Sequence, residues 1–228
     1  MKSEIIFENQ YIYLKTSKLL KRAITDILLE KDQVIVGLPG GRNIFPILSL
    51  LRFEPLSWED IHIFMVDERL VPIASVESNF NVINRSFSVI SEKINLHPFN
   101  YDDNYTDYGI SHYKDEIKNL GGKYDIILLS SGEDGHIASL FPKHPSIFSD
   151  EEYYILVENS PKPPEKRMSI TKNFLKKSNI AILLFSGEEK KKALQNFVND
   201  KIKYTDCPAK LINEIPENYV LTNIDLKI

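Results

Sequence analysis

The chain has 228 residues, of which 43% are hydrophobic and 26% are charged, and its formal net charge at pH 7 is −4. These values are typical of a globular protein, exclude a disordered chain, and predict a single domain over residues 1–228. The net negative charge and the absence of a basic stripe with interleaved aromatics argue against a nucleic-acid partner.

Cysteine usage and apolar runs indicate the compartment. The only cysteine, Cys207, excludes an intrachain disulfide and favours a reducing environment. The start of the chain has a glutamate where a signal peptide would begin its apolar core, and the longest apolar run, 180–185, is too short to span a bilayer. The sequence therefore predicts a cytoplasmic protein with no membrane partner.

Hydrophobic periodicity predicts strands that alternate with helices. The expected elements in chain order are strand 4–7, helix 12–30, strand 33–38, a helix from 43, strand 61–66, a helix from 78–79, helix 110–120, strands 124–129, 153–158 and 179–186, helices after 187 and around 208–213, and strand 219–222. This alternation implies an α/β fold of Rossmann-like type, with a mainly parallel sheet, helices on both faces and room for a small antiparallel lobe.

The segment from Gly132 to His136 follows an apolar run that is typical of a central strand covered on both faces. Its glycines allow a sharp turn, which would place Asp134 and His136 at the carboxyl end of that strand, where open α/β sheets bind ligands. A neutral imidazole can take a proton from water near pH 7. The same tripeptide also fits a plain turn in which His136 caps a following helix.

The turn formed by Gly40, Gly41, Arg42 and Asn43 comes directly before a predicted helix, for which Asn43 is a suitable cap. Backbone N–H groups at a helix N-terminus attract phosphate. The turn lacks the Walker lysine and the G-x-G-x-x-G spacing, so neither ATP nor a dinucleotide is favoured. A tight structural turn is the alternative.

Several charged residues are further candidates for binding an anion. Lys190 lies in the first turn of a predicted helix, where a cation opposes the helix dipole unless an anion is bound; a snorkelling side chain is the alternative. Arg69 follows a strand and could hold a phosphate or an oxyanion, or simply pair with Asp67. Arg167 fits an anion ligand or a loop-anchoring charge. No motif requires a metal.

Five ordered motifs together resemble the 6-phosphogluconolactonase family, whose relatives include glucosamine-6-phosphate deaminases. The motifs are PGGRNIFPIL from 39, DERLVP from 67 with the later Ser78-Asn79 pair, GEDGHIASLFP from 132, SPKPPEKRMSIT from 160, and SGEEKKKAL from 186. The resemblance implies hydrolysis of 6-phospho-D-glucono-1,5-lactone in the pentose phosphate pathway. It implies no cofactor and a small phosphosugar lactone as the binding partner. We separately expect a monomer, with a weak dimer as the alternative.

The same resemblance implies roles for individual residues. His136 would be the general base, with Asp134 supporting it and Arg69 near the reacting ring or its oxyanion. The remaining implied substrate contacts, including those to the phosphate, are Gly40, Gly41, Arg42, Asn43, Asp67, Asn79, Gly132, Gly135, Arg167 and Lys190.

The chain departs from the pattern of many relatives at two places. Many relatives carry Gly-Gly-Ser-Thr-Pro in the phosphate loop, whereas Arg42 and Asn43 replace both hydroxyl residues here, and Ser130-Ser131 replace a more apolar or glycine-containing run.

Two other functions are alternatives. A deaminase would continue the His136 motif with a Phe-Asn-Glu-Pro type segment, but this chain has Ser-Leu-Phe-Pro at 139–142. A non-catalytic sugar-phosphate sensor would be expected to carry a DNA-binding module, for which we see no spare segment.

Overall fold

A computed structural model describes residues 3–226, which form two sheets and their surrounding helices. The strands are β1 Glu4–Phe7, β2 Val34–Leu38, β3 Ile61–Met65, β4 Asp67–Arg69, β5 Asn95–His97, β6 Ile126–Ser130, β7 Tyr154–Val157, β8 Arg167–Ile170, β9 Ile180–Phe185 and β10 Glu217–Thr222. The α-helices are α1 Ile12–Leu28, α2 Ile44–Leu51, α3 Asn79–Ser86, α4 Ile110–Asn119, α5 Pro145–Phe148, α6 Lys172–Lys176 and α7 Lys191–Val198. Short 3-10 helices lie at Trp58–Asp60, Ser88–Ile90, Glu188–Lys190 and Pro208–Glu214.

The large sheet has the strand order β1-β10-β9-β6-β2-β3-β5, and all of its neighbouring strands run parallel. Every residue of β2, β3 and β9 is buried, as expected for strands covered by helices on both faces. From β2 the chain moves through β3 to β5 on one side, and from β6 through β9 to β10 on the other. The loops after β2 and β6 therefore diverge at a switch point, where such sheets form ligand crevices.

The small sheet is antiparallel, in the order β4-β8-β7. Its register places Asp67 opposite Ser169 and Arg69 opposite Arg167. The predicted α/β fold is confirmed, and the small antiparallel lobe is present.

Several local predictions were wrong or incomplete. Asp67–Arg69 was predicted only as the end of a strand, and no element was predicted for Arg167–Ile170 or Asn95–His97, but all three form strands. Strands of three or four residues are too short to show a period of two. The element around 208–213 is a 3-10 helix, and Lys190 lies in the 3-10 turn that precedes α7 rather than in the helix itself. No helix within residues 3–226 has both the length and the apolarity needed to cross a bilayer.

Candidate active site

A cleft of about 690 Å³ lies where the loops after β2 and β6 meet the small sheet. Five cationic side chains line it, namely Arg42, Arg69, Lys162, Arg167 and Lys190. Three carboxylates also line it, namely Asp67, Glu133 and Glu189. The local charge is thus positive in a chain whose net charge is −4, which favours an anionic ligand.

His136 lines this cleft and is held from behind by Asp134. Its Nδ1 lies 2.6 Å from Oδ1 of Asp134, and the same oxygen accepts a 3.1 Å hydrogen bond from the His136 backbone N–H. Partial burial alone would raise the pKa of Asp134, but the hydrogen bond and charge of His136 outweigh it and lower that pKa to about 2. Because Nδ1 faces a carboxylate, Nε2 is the nitrogen left to exchange a proton with a ligand.

The loop around His136 leaves space for its ring. A β-carbon at Gly132 would lie 2.0 Å from Cε1 and 2.1 Å from Nδ1 of the imidazole, so only glycine fits there. The ring also contacts Phe141, at 4.7 Å between ring centroids. No helix begins at His136, because the next one is α5, which His144 caps. The alternative in which His136 is a helix cap is therefore wrong.

Gly135 has a different surrounding from the rest of this loop. Its φ is +89°, its carbonyl accepts a 2.9 Å hydrogen bond from the Ala209 N–H, and a β-carbon there would lie 2.8 Å from the Cys207 sulfur. Neither Gly135 nor Asp134 is among the residues that line the cleft. The position of Gly135 indicates a role in shaping the loop.

The predicted phosphate loop lies on the other side of the switch point. A β-carbon at Gly40 would lie 2.0 Å from Oδ1 of Asn79, and Gly41 has a φ of +102°, so each glycine is needed for a different reason. These residues bring the N-terminus of α2 to the cleft, where its N–H groups can bind an anion.

Asn43 occupies the predicted N-cap position of α2, but its side chain makes no capping hydrogen bond. Its Oδ1 instead accepts a 3.1 Å hydrogen bond from the Tyr13 hydroxyl, and its Nδ2 donates to the Ser186 carbonyl at 3.4 Å. Arg42 is exposed at the rim of the cleft.

Asp67 joins three parts of the site. Its Oδ2 accepts a 2.7 Å hydrogen bond from the Ser139 hydroxyl in the His136 loop. Its Oδ1 and backbone carbonyl accept from Nδ2 of Asn79, at 3.2 and 2.9 Å. Asp67 and Asn79 line the cleft, but these polar atoms form hydrogen bonds with each other and with the His136 loop.

Arg69 and Arg167 face each other across β4 and β8. Arg69 donates from Nη1 to the Glu77 carbonyl at 2.5 Å, while its Nε is buried without a hydrogen-bond partner among residues 3–226. Burial lowers the pKa of Arg167, and the charge of Arg69 lowers it further, against the opposing effect of Asp67. Like charges directly opposite each other destabilise a sheet, so a bound anion would relieve this pair.

Lys190 reaches into the cleft from the turn before α7, and its ammonium donates to the carbonyl of Ser131 at the end of β6. Burial lowers its pKa, whereas the charge of Glu189 raises it. Lys190 therefore connects the α7 region to the His136 loop rather than lying along the surface.

With this geometry in place, comparison with known proteins is informative. The family model described as glucosamine-6-phosphate isomerases/6-phosphogluconolactonase matches residues 8–221. The chain belongs to this family. A 6-phosphogluconolactonase from Borreliella burgdorferi is 38% identical over 225 residues, covering 94% of this chain and 96% of that protein. A second from Thermotoga maritima is 28% identical over 213 residues, covering 91% of both.

Solved structures agree with this family membership. The crystal structure of a 6-phosphogluconolactonase from Thermotoga maritima superposes with a TM-score of 0.85 at 26% identity, covering 97% of this chain and 99% of that chain. One from Shewanella baltica gives a TM-score of 0.87 at 15% identity, which bears on the fold alone.

Several residues that were not assigned from the sequence also line the cleft. Tyr13, Lys162, Glu133 and Glu189 all contribute to the lining. Glu133, Lys162 and Glu189 lie inside motifs that carried the resemblance, and Glu133 and Glu189 are adjacent in sequence to assigned residues. Tyr13 lies in α1, and nothing in the local sequence indicates its contact with Asn43. Within residues 3–226, no three His, Cys, Asp or Glu side chains group as a metal ion would require.

Proposed function

We propose that the chain hydrolyses 6-phospho-D-glucono-1,5-lactone to 6-phospho-D-gluconate, in the oxidative pentose phosphate pathway, with His136 as the general base. The observation that carries this proposal is the His136–Asp134 pair, with 2.6 Å between Nδ1 and Oδ1, at the edge of a positively charged cleft. Family membership and relatives named as 6-phosphogluconolactonases support the choice of substrate.

The chemistry follows from the positions of these groups. Nε2 of His136 takes a proton from water as the water oxygen bonds to the lactone carbonyl carbon. Arg69 stabilises the oxyanion that forms, since its guanidinium lies in the same cleft. When the bond from that carbon to the ring oxygen breaks, the imidazolium returns its proton to the departing oxygen. The new carboxylic acid then loses its own proton to solvent.

Asp134 supports the base through its charge. With a pKa of about 2, its carboxylate is ionised at neutral pH and stabilises the imidazolium that forms during the attack. The phosphate would lie at the N-terminus of α2, where the N–H groups of Gly41 to Asn43 meet the side chains of Arg42 and Lys190. Backbone donors and charges thus replace the hydroxyl contacts that Arg42 and Asn43 cannot make.

The test is a lactonase assay from which the spontaneous hydrolysis rate is subtracted, comparing wild type with His136→Ala. We expect kcat to fall by about 10²- to 10⁴-fold, the range for loss of a general base, while binding of 6-phosphogluconate persists. His112→Ala, at an exposed histidine outside the cleft, is the control. Wild-type turnover in His136→Ala would rule out its role as the base.

Two further measurements separate the rival functions. Faster turnover of glucosamine 6-phosphate than of the lactone would point to a deaminase. Tight phosphosugar binding with no turnover above the spontaneous rate would point to a sensor. The Ser-Leu-Phe-Pro stretch at 139–142, whose Ser139 donates a hydrogen bond to Asp67, argues against the deaminase.

The finer expectations about domain, location and assembly are proposals as well. We propose one domain over residues 1–228, a cytoplasmic location and a monomer; the single cysteine supports the reducing compartment. Light scattering of the purified protein tests the monomer.

A further inference from the structure

The loop at 160–166 carries a cation, Lys162, that was not assigned to the site from the sequence. Arg167 holds this loop by its carbonyl groups: Nη2 donates to the carbonyls of Lys162 and Pro163 at 3.0 and 2.9 Å, and Nε donates to that of Pro164 at 3.2 Å. These bonds occupy three of the five N–H donors of a guanidinium. The remaining nitrogen of the Arg167 guanidinium, Nη1, lies 3.9 Å from Oδ2 of Asp67.

Ser160 completes the anchoring of Lys162. Its hydroxyl donates to the Lys162 carbonyl at 2.8 Å and accepts from the Lys162 N–H at 3.3 Å. The N–H of Ser160 in turn donates to the Glu165 carbonyl at 3.0 Å, which closes the loop. The backbone of Lys162 is therefore fixed on both its N–H and its carbonyl side.

The side chain of Lys162 is half-buried and lines the cleft. Lys166, on the same loop, is different: its ammonium bonds the Tyr108 hydroxyl at 2.7 Å, and it does not line the cleft. The loop thus directs one of its two lysines toward the site.

The charge of Lys162 reaches both halves of the site. Burial is the main cause of the lowered pKa of Lys190, and the charges of Lys162 and Arg42 lower it further. Lys162 also contributes to the lowered pKa of Asp134. The charges of Glu189 and Glu133 oppose the effect of Lys162 and Arg42 on Lys190. All three cations line one cleft, where a phosphate dianion could bind them together.

We propose that Lys162 is a further substrate-binding residue that contacts the phosphate together with Arg42 and Lys190, and that Arg167 is its positioning residue. The identity of the phosphosugar rests on the proposed function. Most of the phosphate contact that the resemblance implied for Arg167 is therefore made by Lys162, on the loop that Arg167 holds.

Lys162→Met tests the contact, with Lys192→Met as a matched control at an exposed lysine outside the cleft. We expect KM for the lactone to rise about tenfold in Lys162→Met, as for the loss of one charge-assisted hydrogen bond, with kcat within about twofold. Lys162→Arg should restore most of the KM. Unchanged KM in Lys162→Met, or an equal rise in Lys192→Met, would overturn the proposal.

Arg167→Lys tests the positioning role, because lysine keeps the charge but cannot hold three carbonyls. We expect it to raise KM to a similar extent as Lys162→Met. If Arg167 acts through Lys162, the double variant Lys162→Met/Arg167→Lys should be no worse than the weaker-binding single variant. Additive losses would mean that Arg167 binds substrate on its own, and the positioning role would fail.

Calorimetric titration with 6-phosphogluconate separates this proposal from the function. If wild type binds 6-phosphogluconate and Lys162→Met binds it about tenfold more weakly, Lys162 keeps its role even where lactone turnover is absent. If wild type turns over the lactone and both Lys→Met variants bind 6-phosphogluconate equally well, the function stands and the role of Lys162 fails. No binding by wild type would contradict both.

Discussion

Two histidine sites associated with the large sheet use the same chemical groups in different ways. At the carboxyl end of β6, Nδ1 of His136 lies 2.6 Å from Oδ1 of Asp134. Near the amino end of β3, Nδ1 of His62 lies 2.9 Å from Nε2 of His97, whose own Nδ1 lies 2.5 Å from Oε1 of Glu116. Each site links an imidazole to a carboxylate, directly or through a second ring.

The surroundings of the two sites separate their roles. His136 lines a cleft, so its Nε2 can meet a ligand. Nε2 of His62 is buried and has no hydrogen-bond partner within residues 3–226, while His97 stacks on Phe64 at 4.1 Å between centroids. An imidazole–carboxylate arrangement therefore indicates catalysis only where the strand end opens onto a ligand cleft.

The largest expected effect is a loss of activity when the space around the imidazole of His136 is filled. In Gly132→Ala, the new methyl group would lie 2.0 Å from Cε1, so the ring must move. We expect kcat to fall by about 10²-fold, the scale of a misplacement near 1 Å, with 6-phosphogluconate binding retained. The measurement is the blank-corrected lactonase assay beside calorimetry.

The control is Gly121→Ala, whose β-carbon would meet nothing within 4 Å but whose φ is +110°. It should lower the melting temperature through backbone strain while leaving kcat unchanged. If Gly132→Ala kept wild-type kcat, the position of the imidazole would not matter to the reaction, and the contrast with His62 would lose its basis.

A smaller effect should follow from removing the charge behind the ring. Asp134→Asn keeps the shape of the side chain but cannot stabilise an imidazolium, so we expect kcat to fall at least about tenfold.

The ionised Asp134 also stabilises the folded state, because its pKa is lowered to about 2. This contribution is complete above the ordinary aspartate pKa and is lost as the pH falls toward 2. Activity lost by wild type between pH 7 and 5 must therefore come from another group, which a pH–rate profile would show.

The sequence was sufficient where function depends on neighbours along the chain. Asp134 and His136 are two residues apart after a strong strand signal, so their strand-end position could be predicted. The pairing of His62 with His97 could not be predicted, because no local pattern connects the two residues and the three-residue β5 that brings His97 into register was not predicted.

Contacts between distant segments were missed for the same reason. The hydroxyl of Tyr13 reaches Asn43 from α1, which removes that side chain from the capping role its position suggested. Local propensity cannot report such a tertiary partner. For Arg167 the sequence left an anion ligand and a loop-anchoring charge as alternatives, and its bonds to three carbonyls of the loop at 160–166 are those of a loop-anchoring charge.

The smallest expected effect concerns the closed histidine site and appears in stability. Burial lowers the pKa of His62, the charge of His97 lowers it further, and Asp60 opposes both. The folded state therefore binds a proton at His62 more weakly than the unfolded chain does, so protonation favours unfolding as the pH falls through about 6.5. This linkage makes the protein less stable at pH 5.5 than at pH 8.

His62→Gln removes the titrating group and keeps polar atoms near His97. We expect the fall in melting temperature from pH 8 to pH 5.5 to shrink by about 2 °C, with lactonase activity at pH 8 within about twofold of wild type. His112→Gln, at an exposed histidine on α4, should keep the wild-type fall. An unchanged fall in His62→Gln would mean that His62 does not control the pH response, whereas a loss of activity at pH 8 would connect the two histidine sites.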